Sequence, residues 1–235
     1  MESVETMDKK HLVKLISSFV MGDGGVYYSG NNCRYIRNQL AVHKDYLEFQ
    51  AEVLSEVTSC SIVPVKDDRD DCARKPQLRV ITKSHPLFTQ MRERFYTDGY
   101  KGIDPHYLKL LDWQMMAHLF MDDGSNQLYQ KDGHDYLSIR LNTKRLSYGD
   151  SLLLKKAIKE KLDVEFNIQS HYHRYMLGLR SKDQATFLNG VRPFMFPSFD
   201  YKMKCPDDWP RYAGGDIVRP SRKLLDSEGN YQSAA

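Results

Sequence analysis

The chain is written twice, and that constrains its fold more than any other feature. Residues 15–25, LISSFVMGDGG, reappear as residues 115–125, MMAHLFMDDGS, setting Asp23 and Asp123 100 residues apart. Self-similarity at one fixed offset marks a duplicated structural unit. The text after each copy also matches in kind. Residues 34–42 read as a strand, 46–57 as a helix, 75–83 as a strand and 86–95 as a helix; residues 136–145, 147–162, 171–180 and 182–191 repeat that order. An α+β domain duplicated within one chain accounts for it.

The first helix of each unit carries the pattern that fixes its packing. Leu12, Leu15, Ile16, Phe19 and Val20 fall at i, i+3, i+4, i+7 and i+8, one apolar stripe. Ser17 and Ala117 lie beside it and are small enough to let two helices approach closely. Each helix stops at an Asp-Gly, glycine being common just past a helix end. A carboxylate is electrostatically unfavourable at a helix C-terminus, and two brought together repel. A divalent cation is a natural compensator. One Asp-Gly marks an ordinary turn; its repetition at matching positions points to a shared acidic site.

Composition narrows the class without finding the function. The 235 residues carry 34 basic and 31 acidic side chains, a net charge of +3, which permits a nucleic-acid partner without demanding one. Cys33, Cys60, Cys72 and Cys205 form no C-x-x-C pair, so they read as reduced thiols and not as a zinc site. The N-terminus lacks an apolar signal core and no apolar run reaches membrane-span length. A soluble, intracellular protein of the bacterial or phage cytoplasm or of an organelle is expected, with no membrane partner.

ISSFVMGDG and MAHLFMDDG, with the flanks TKSHPLFTQMRERFY, YKGIDPHYL, SIRLNTKRLS and PSFDYKMK, cover about residues 10–204. They resemble the paired motif helices of single-chain LAGLIDADG homing endonucleases. The resemblance implies two pseudo-symmetric αββαββα repeats with antiparallel saddle sheets, the two motif helices packed where the repeats meet. It divides the chain into an N-terminal extension (1–10), a first repeat (11–96), a linker (97–112), a second repeat (113–204) and an extended tail (205–235), where Trp209 and Tyr212 are candidate anchors. Asp23 and Asp123 become metal ligands, with the carbonyls of Gly22 and Asp122 assisting. Lys101 and Lys202 become active-site lysines, able to stabilise developing charge or orient water. Gln39, with Asn38 as its alternative, becomes a water-positioning residue. His118, bulkier than the motif's usual small residue, reads as a packing variant. The implied cofactor is Mg²⁺, with Mn²⁺ substituting and Ca²⁺ supporting binding without cleavage.

Strand alternation adds support from the residues themselves. Ser138, Arg140, Asn142 and Lys144 share one face against Ile139, Leu141 and Thr143; Lys75, Gln77, Arg79 and Lys83 share one against Leu78, Val80 and Thr82. Arg174 and Arg180 oppose Tyr175, Leu177 and Leu179, while Tyr35, Arg37 and Gln39 fall together. None of these face residues is acidic, which favours a polyanion, and their side chains are those that read major-groove base edges. The expected partner is a long, asymmetric double-stranded DNA target bound by a monomer. The reaction that the LAGLIDADG resemblance implies hydrolyses one phosphodiester in each strand, leaves short 3′ overhangs and promotes intron mobility. The rivals are an RNA maturase, which would not need both acids, and an inactive DNA-binding regulator, which would tend to lose them. No intein splicing blocks are visible, so the chain reads as free-standing.

Overall fold

The computed structural model describes residues 8–65, 75–131, 134–171 and 174–205. The first repeat runs α1 (Lys9–Met21), β1 (Gly25–Ser29), β2 (Asn32–Leu40), α2 (Lys44–Ser55), β3 (Cys60–Pro64), β4 (Gln77–Thr82) and α3 (Pro86–Phe95). A hairpin of β5 (Tyr96–Thr97) and β6 (Tyr100–Lys101) and the short α4 (Pro105–Leu108) lead to the second repeat. That repeat runs α5 (Trp113–Asp123), β7 (Gly124–Lys131), β8 (His134–Leu141), α6 (Tyr148–Leu162), β9 (Phe166–His171), β10 (Arg174–Leu179) and α7 (Gln184–Val191). Both repeats are αββαββα, with antiparallel sheets of order β1-β2-β4-β3 and β7-β8-β10-β9. The sequence pattern does not delimit strands β1, β3, β7 and β9, because their runs lack clean polar–apolar alternation.

The two motif helices pack against each other at the centre. Asp8 caps α1 and Asp112 caps α5 through backbone N–H groups of His11 and Met115. Lys14 reaches across to Asp112 at 2.7 Å, tying the two helix starts together. Residues 15–21 of α1 and 114–121 of α5 are buried on every side, as befits helices in the middle of a core. Ser17 and Ala117 are both fully buried. Beside them, Ser18 Oγ donates to Leu15 O at 2.6 Å and lies 2.7 Å from His118 Nδ1. With the hydroxyl proton engaged, His118 donates from Nδ1, and burial lowers its pKa to about 3, so the ring stays neutral. It is a packing residue within the helix pair.

Sheet alternation forms the rest of the core. Cys33, Tyr35, Val80 and Thr82 face inward in the first repeat, and Leu137, Ile139, Leu141, Leu177 and Leu179 in the second. Cys33 and Cys60 are free thiols, and Cys72 lies outside the described residues. So does the tail from residue 206, with Trp209 and Tyr212. Among the described residues no helix is long and apolar enough to cross a membrane.

Two excursions carry lysines back to the centre. The β5–β6 hairpin turns at Asp98-Gly99, both with positive φ (50° and 82°), and returns the chain at Lys101. After α7, a 3₁₀ turn over Pro197–Lys202 folds onto the first repeat. Phe199 stacks on His43 at 4.0 Å, Ser198 Oγ meets His43 Nδ1 at 3.1 Å, and Lys202 is delivered beneath.

Candidate active centre and nucleic-acid interface

Asp123 is the last residue of α5, and Asp23 lies two residues beyond α1. Both helices end where the other ends, so negative carboxylates and the negative poles of two helix dipoles converge. The fold answers with four cations. Lys101 Nζ donates to the carbonyls of Val20, Gly22 and Gly24 at 2.9, 2.6 and 2.8 Å, closing the end of α1. Lys202 Nζ does the same for α5 through Phe120 O and Met121 O at 3.1 and 2.7 Å. Arg145 bridges the acids: Nη2 donates to Asp123 Oδ2 at 2.7 Å, and Nη1 reaches Asp23 Oδ1 at 3.4 Å. Arg37 is the fourth, and its partner is Asp122.

Burial dominates the electrostatics here. It raises Asp123 to about 6, against the pull of Arg145. It lowers Lys101 to about 7 with help from the Arg145 charge, and Lys202 to about 8.

The Asp122 side chain turns away from this centre. Arg37 Nη1 and Nη2 grip its two oxygens at 2.8 and 2.7 Å, and its Oδ2 also accepts from the Asp23 backbone N–H at 2.9 Å. Both side chains are wholly buried. This explains the first motif's glycine: a Cβ on Gly22 would lie 1.8 Å from Asp122 Oδ2. The carboxylate from one helix fills the space of the missing side chain on the other. Glycine at 124 is likewise a matter of space, since a Cβ would meet Phe120 O at 2.3 Å. Neither Gly24 nor Gly124, the glycines of the two Asp-Gly helix stops, has positive φ; a Cβ on Gly24 would meet Phe19 O at 2.5 Å, so close approach and not backbone conformation calls for glycine at both stops.

The assignment of Tyr35 and Arg37 to an exposed face is overturned. They are 0% and 1% exposed, Tyr35 donating to Gln50 and Arg37 paired with Asp122. Alternation alone cannot say which face of β2 is inward when an arginine has a buried partner. The outward residues are Arg34, Ile36 and Asn38, and Asn38 Oδ1 accepts from Arg79 Nε across the β2–β4 pair at 2.8 Å. Gln39 is half-buried, its side chain accepting from the Leu40 N–H.

Elsewhere the structure places the named residues on exposed or partly exposed surface. Gln77 and Arg79 point outward on β4, with Lys75 and Lys83 exposed at its flanks. Ser138, Arg140, Asn142 and Lys144 alternate with buried Leu137, Ile139, Leu141 and Thr143. Arg174 is exposed at the start of β10. Arg180 lies past that strand's end and is ion-paired with Glu165, so its charge is largely neutralised there. The sequence reading missed Tyr27, Gln127, Tyr129, Asn167 and Gln169, exposed on the neighbouring strands. It also missed Arg145, whose parity was the available signal: it breaks the outward alternation of Ser138 to Lys144.

A divalent cation would draw on the carboxylates of Asp23 and Asp123 and the Gly22 carbonyl, with the Asp122 carbonyl next in the chain. Among the described residues no three acidic, histidine or cysteine side chains cluster as a metal site. Two carboxylates and a carbonyl are still a hard-oxygen set, and Mg²⁺ commonly completes such a set with water and substrate phosphate. The Arg145 guanidinium resting among these oxygens is direct evidence that the spot attracts positive charge.

Comparison with known proteins agrees with this architecture. The model of the LAGLIDADG DNA endonuclease family matches residues 15–187, so the chain belongs to that family. A protein of Methanocaldococcus jannaschii is 31% identical over 138 residues, 58% of this chain and 52% of that one. Protein RecA of Mycolicibacterium chitae is 25% identical over 218 residues, 88% of this chain and 48% of that one. The chain thus spans about half the length of these curated relatives. The solved structure of the homing endonuclease I-WcaI bound to its DNA recognition sequence superposes with a TM-score of 0.73 at 20% identity, covering 86% of this chain and 89% of that one. That likeness establishes the fold.

Proposed function

We propose that the chain is a site-specific DNA endonuclease that cuts both strands of a long, asymmetric duplex target. The observation that carries this reading is the convergence of Asp23 and Asp123 on one cationic position at the junction of the repeats. A solvated turn would not bring two carboxylates together at buried helix ends. Asp23, Asp123 and the Gly22 carbonyl would hold a divalent metal, Mg²⁺ or Mn²⁺, which would supply water activation and charge stabilisation for in-line displacement.

The chain's own residues prepare the reaction. Asp23 and Asp123 hold the positive charge at the centre, while Lys101 and Lys202 fix the two helix ends that carry them. These lysines stand in equivalent places, one to each helix, which suits one lysine for each strand's cut. Gln39 or Asn38 orients water. Arg79, Gln77, Arg140, Asn142 and Lys144 supply base and phosphate contacts from the two sheets, with phosphate contacts giving salt-sensitive affinity. Both carboxylates come from one chain, so a monomer suffices. The sheets differ in sequence, so an asymmetric target follows. Short 3′ overhangs and intron mobility complete the proposal.

Selection of cleaved sites from a randomised duplex library tests activity, site length and asymmetry together. Asp123→Asn is expected to abolish double-strand cleavage while keeping specific binding in Ca²⁺. Full cleavage by that variant would remove the assignment.

A further inference from the structure

Arg145 touches both acidic helix ends at once. Besides its bonds to Asp123 and Asp23, its Nη2 donates to the carbonyls of Met21 and Gly22 at 2.9 and 2.7 Å. The two carboxylates and the Gly22 carbonyl are the oxygens assigned above to a divalent cation. A guanidinium and a metal ion cannot share them, because both need the same lone pairs and their charges repel. We infer that Arg145 is a built-in substitute for the metal: it holds Asp23 and Asp123 together in the DNA-free protein and must leave them before a divalent cation binds. This rests on the metal reading given under the proposed function.

Three observations support a residue that rests there without being locked there. The duplication does not require it: Gly25 pairs with Ile36 and Ser125 with Arg140, so the counterpart of Arg145 in the first repeat is Ala41. Its side chain is 33% exposed, whereas Arg37, which is structural, is fully enclosed. It also has somewhere to go. Arg145 lines a cavity of about 370 Å³ shared with Arg94, Lys101, Ser147 and Asp150, whose carboxylate accepts from Ile103 N–H and Ser147 Oγ and has lone pairs left for a guanidinium.

DNA provides the reason to move. A phosphate arriving at the centre is itself a strong guanidinium acceptor. Binding of DNA would draw Arg145 off the carboxylates and open them to metal, so each ligand would raise the affinity of the other. The free protein would then carry a neutralised acidic centre and bind metal weakly, loading it only on a duplex.

The test is Ca²⁺ and Tb³⁺ titration of the full chain without DNA, by calorimetry and terbium luminescence. Arg145→Gln is expected to bind roughly tenfold tighter than the unaltered chain, a free-energy change on the scale of one charge contact. Arg145→Lys, whose single ammonium cannot span both acids, is expected to fall between. Adding Asp123→Asn to Arg145→Gln should abolish the gain. Unchanged or weaker affinity in Arg145→Gln overturns the inference, as does a gain that survives Asp123→Asn. If Arg145→Gln folds only with Ca²⁺, metal has replaced the guanidinium, as expected; if it folds in neither condition, the Arg145→Lys titration decides. Cleavage by Asp123→Asn is measured separately, so failure of the metal reading is distinguishable from failure of this one.

Discussion

Replacing Asp122 with asparagine removes one negative charge from the most enclosed ion pair described. Its side chain and that of Arg37 have no solvent exposure, and three hydrogen bonds end on its carboxylate. Asparagine keeps the shape but leaves the guanidinium uncompensated, with the Asp23 carboxylate 4.0 Å away as the nearest relief. Removing one partner of a buried pair costs about 3–5 kcal/mol. For a chain of this size that lowers the melting temperature by roughly 6–20 °C. The assay is urea unfolding followed by circular dichroism, where a lower midpoint at constant slope reports stability. Arg37→Met with Asp122→Leu should recover most of the loss, because an apolar pair of similar volume carries no desolvation penalty. A loss below about 1 kcal/mol for Asp122→Asn, or a double variant as unstable as the sum of the singles, would refute the reasoning.

Three further outcomes are expected. Gly22→Ala places a methyl 1.8 Å from the Asp122 carboxylate, so it should cost about 1–3 kcal/mol in the same unfolding assay. Lys101→Met and Lys202→Met should each uncap the carbonyls of one motif helix and leave cleavage of one strand slower than the other, seen as accumulation of nicked plasmid. Asp123, raised by burial to about 6, should lose its charge as pH falls through that value, so Ca²⁺ binding measured by calorimetry should weaken below pH 6. The sign for stability is opposite: with the native value above the unfolded one, the contribution is full below about 3.8 and lost as pH rises through 6.

Much of the fold was legible because duplication and periodicity are local properties. The stripe at Leu12, Leu15, Ile16, Phe19 and Val20 specified a helix that needs an apolar partner, and its near-copy supplied one. The alternation from Ser138 to Lys144 specified a half-buried strand, and its apolar residues do face the core. Asp23 and Asp123 could be singled out because they recur at matching positions. The face of β2 could not be read, since arginine and tyrosine point outward by composition and inward only when a partner waits. Asp122 is that partner, 85 residues away, contributed by the other repeat.

The sequence by itself therefore determined that two like units meet through two like helices ending in acids, because repeat, period and helix stop are written in consecutive residues. Only the tertiary structure decided how those acids are neutralised. It gave Asp122 to Arg37, made the glycine at 22 a matter of space, set Lys101 and Lys202 on the helix carbonyls, and brought Arg145 between Asp23 and Asp123. The physical reason is that buried charge must be compensated at close range, and the compensating groups come from wherever the fold brings them.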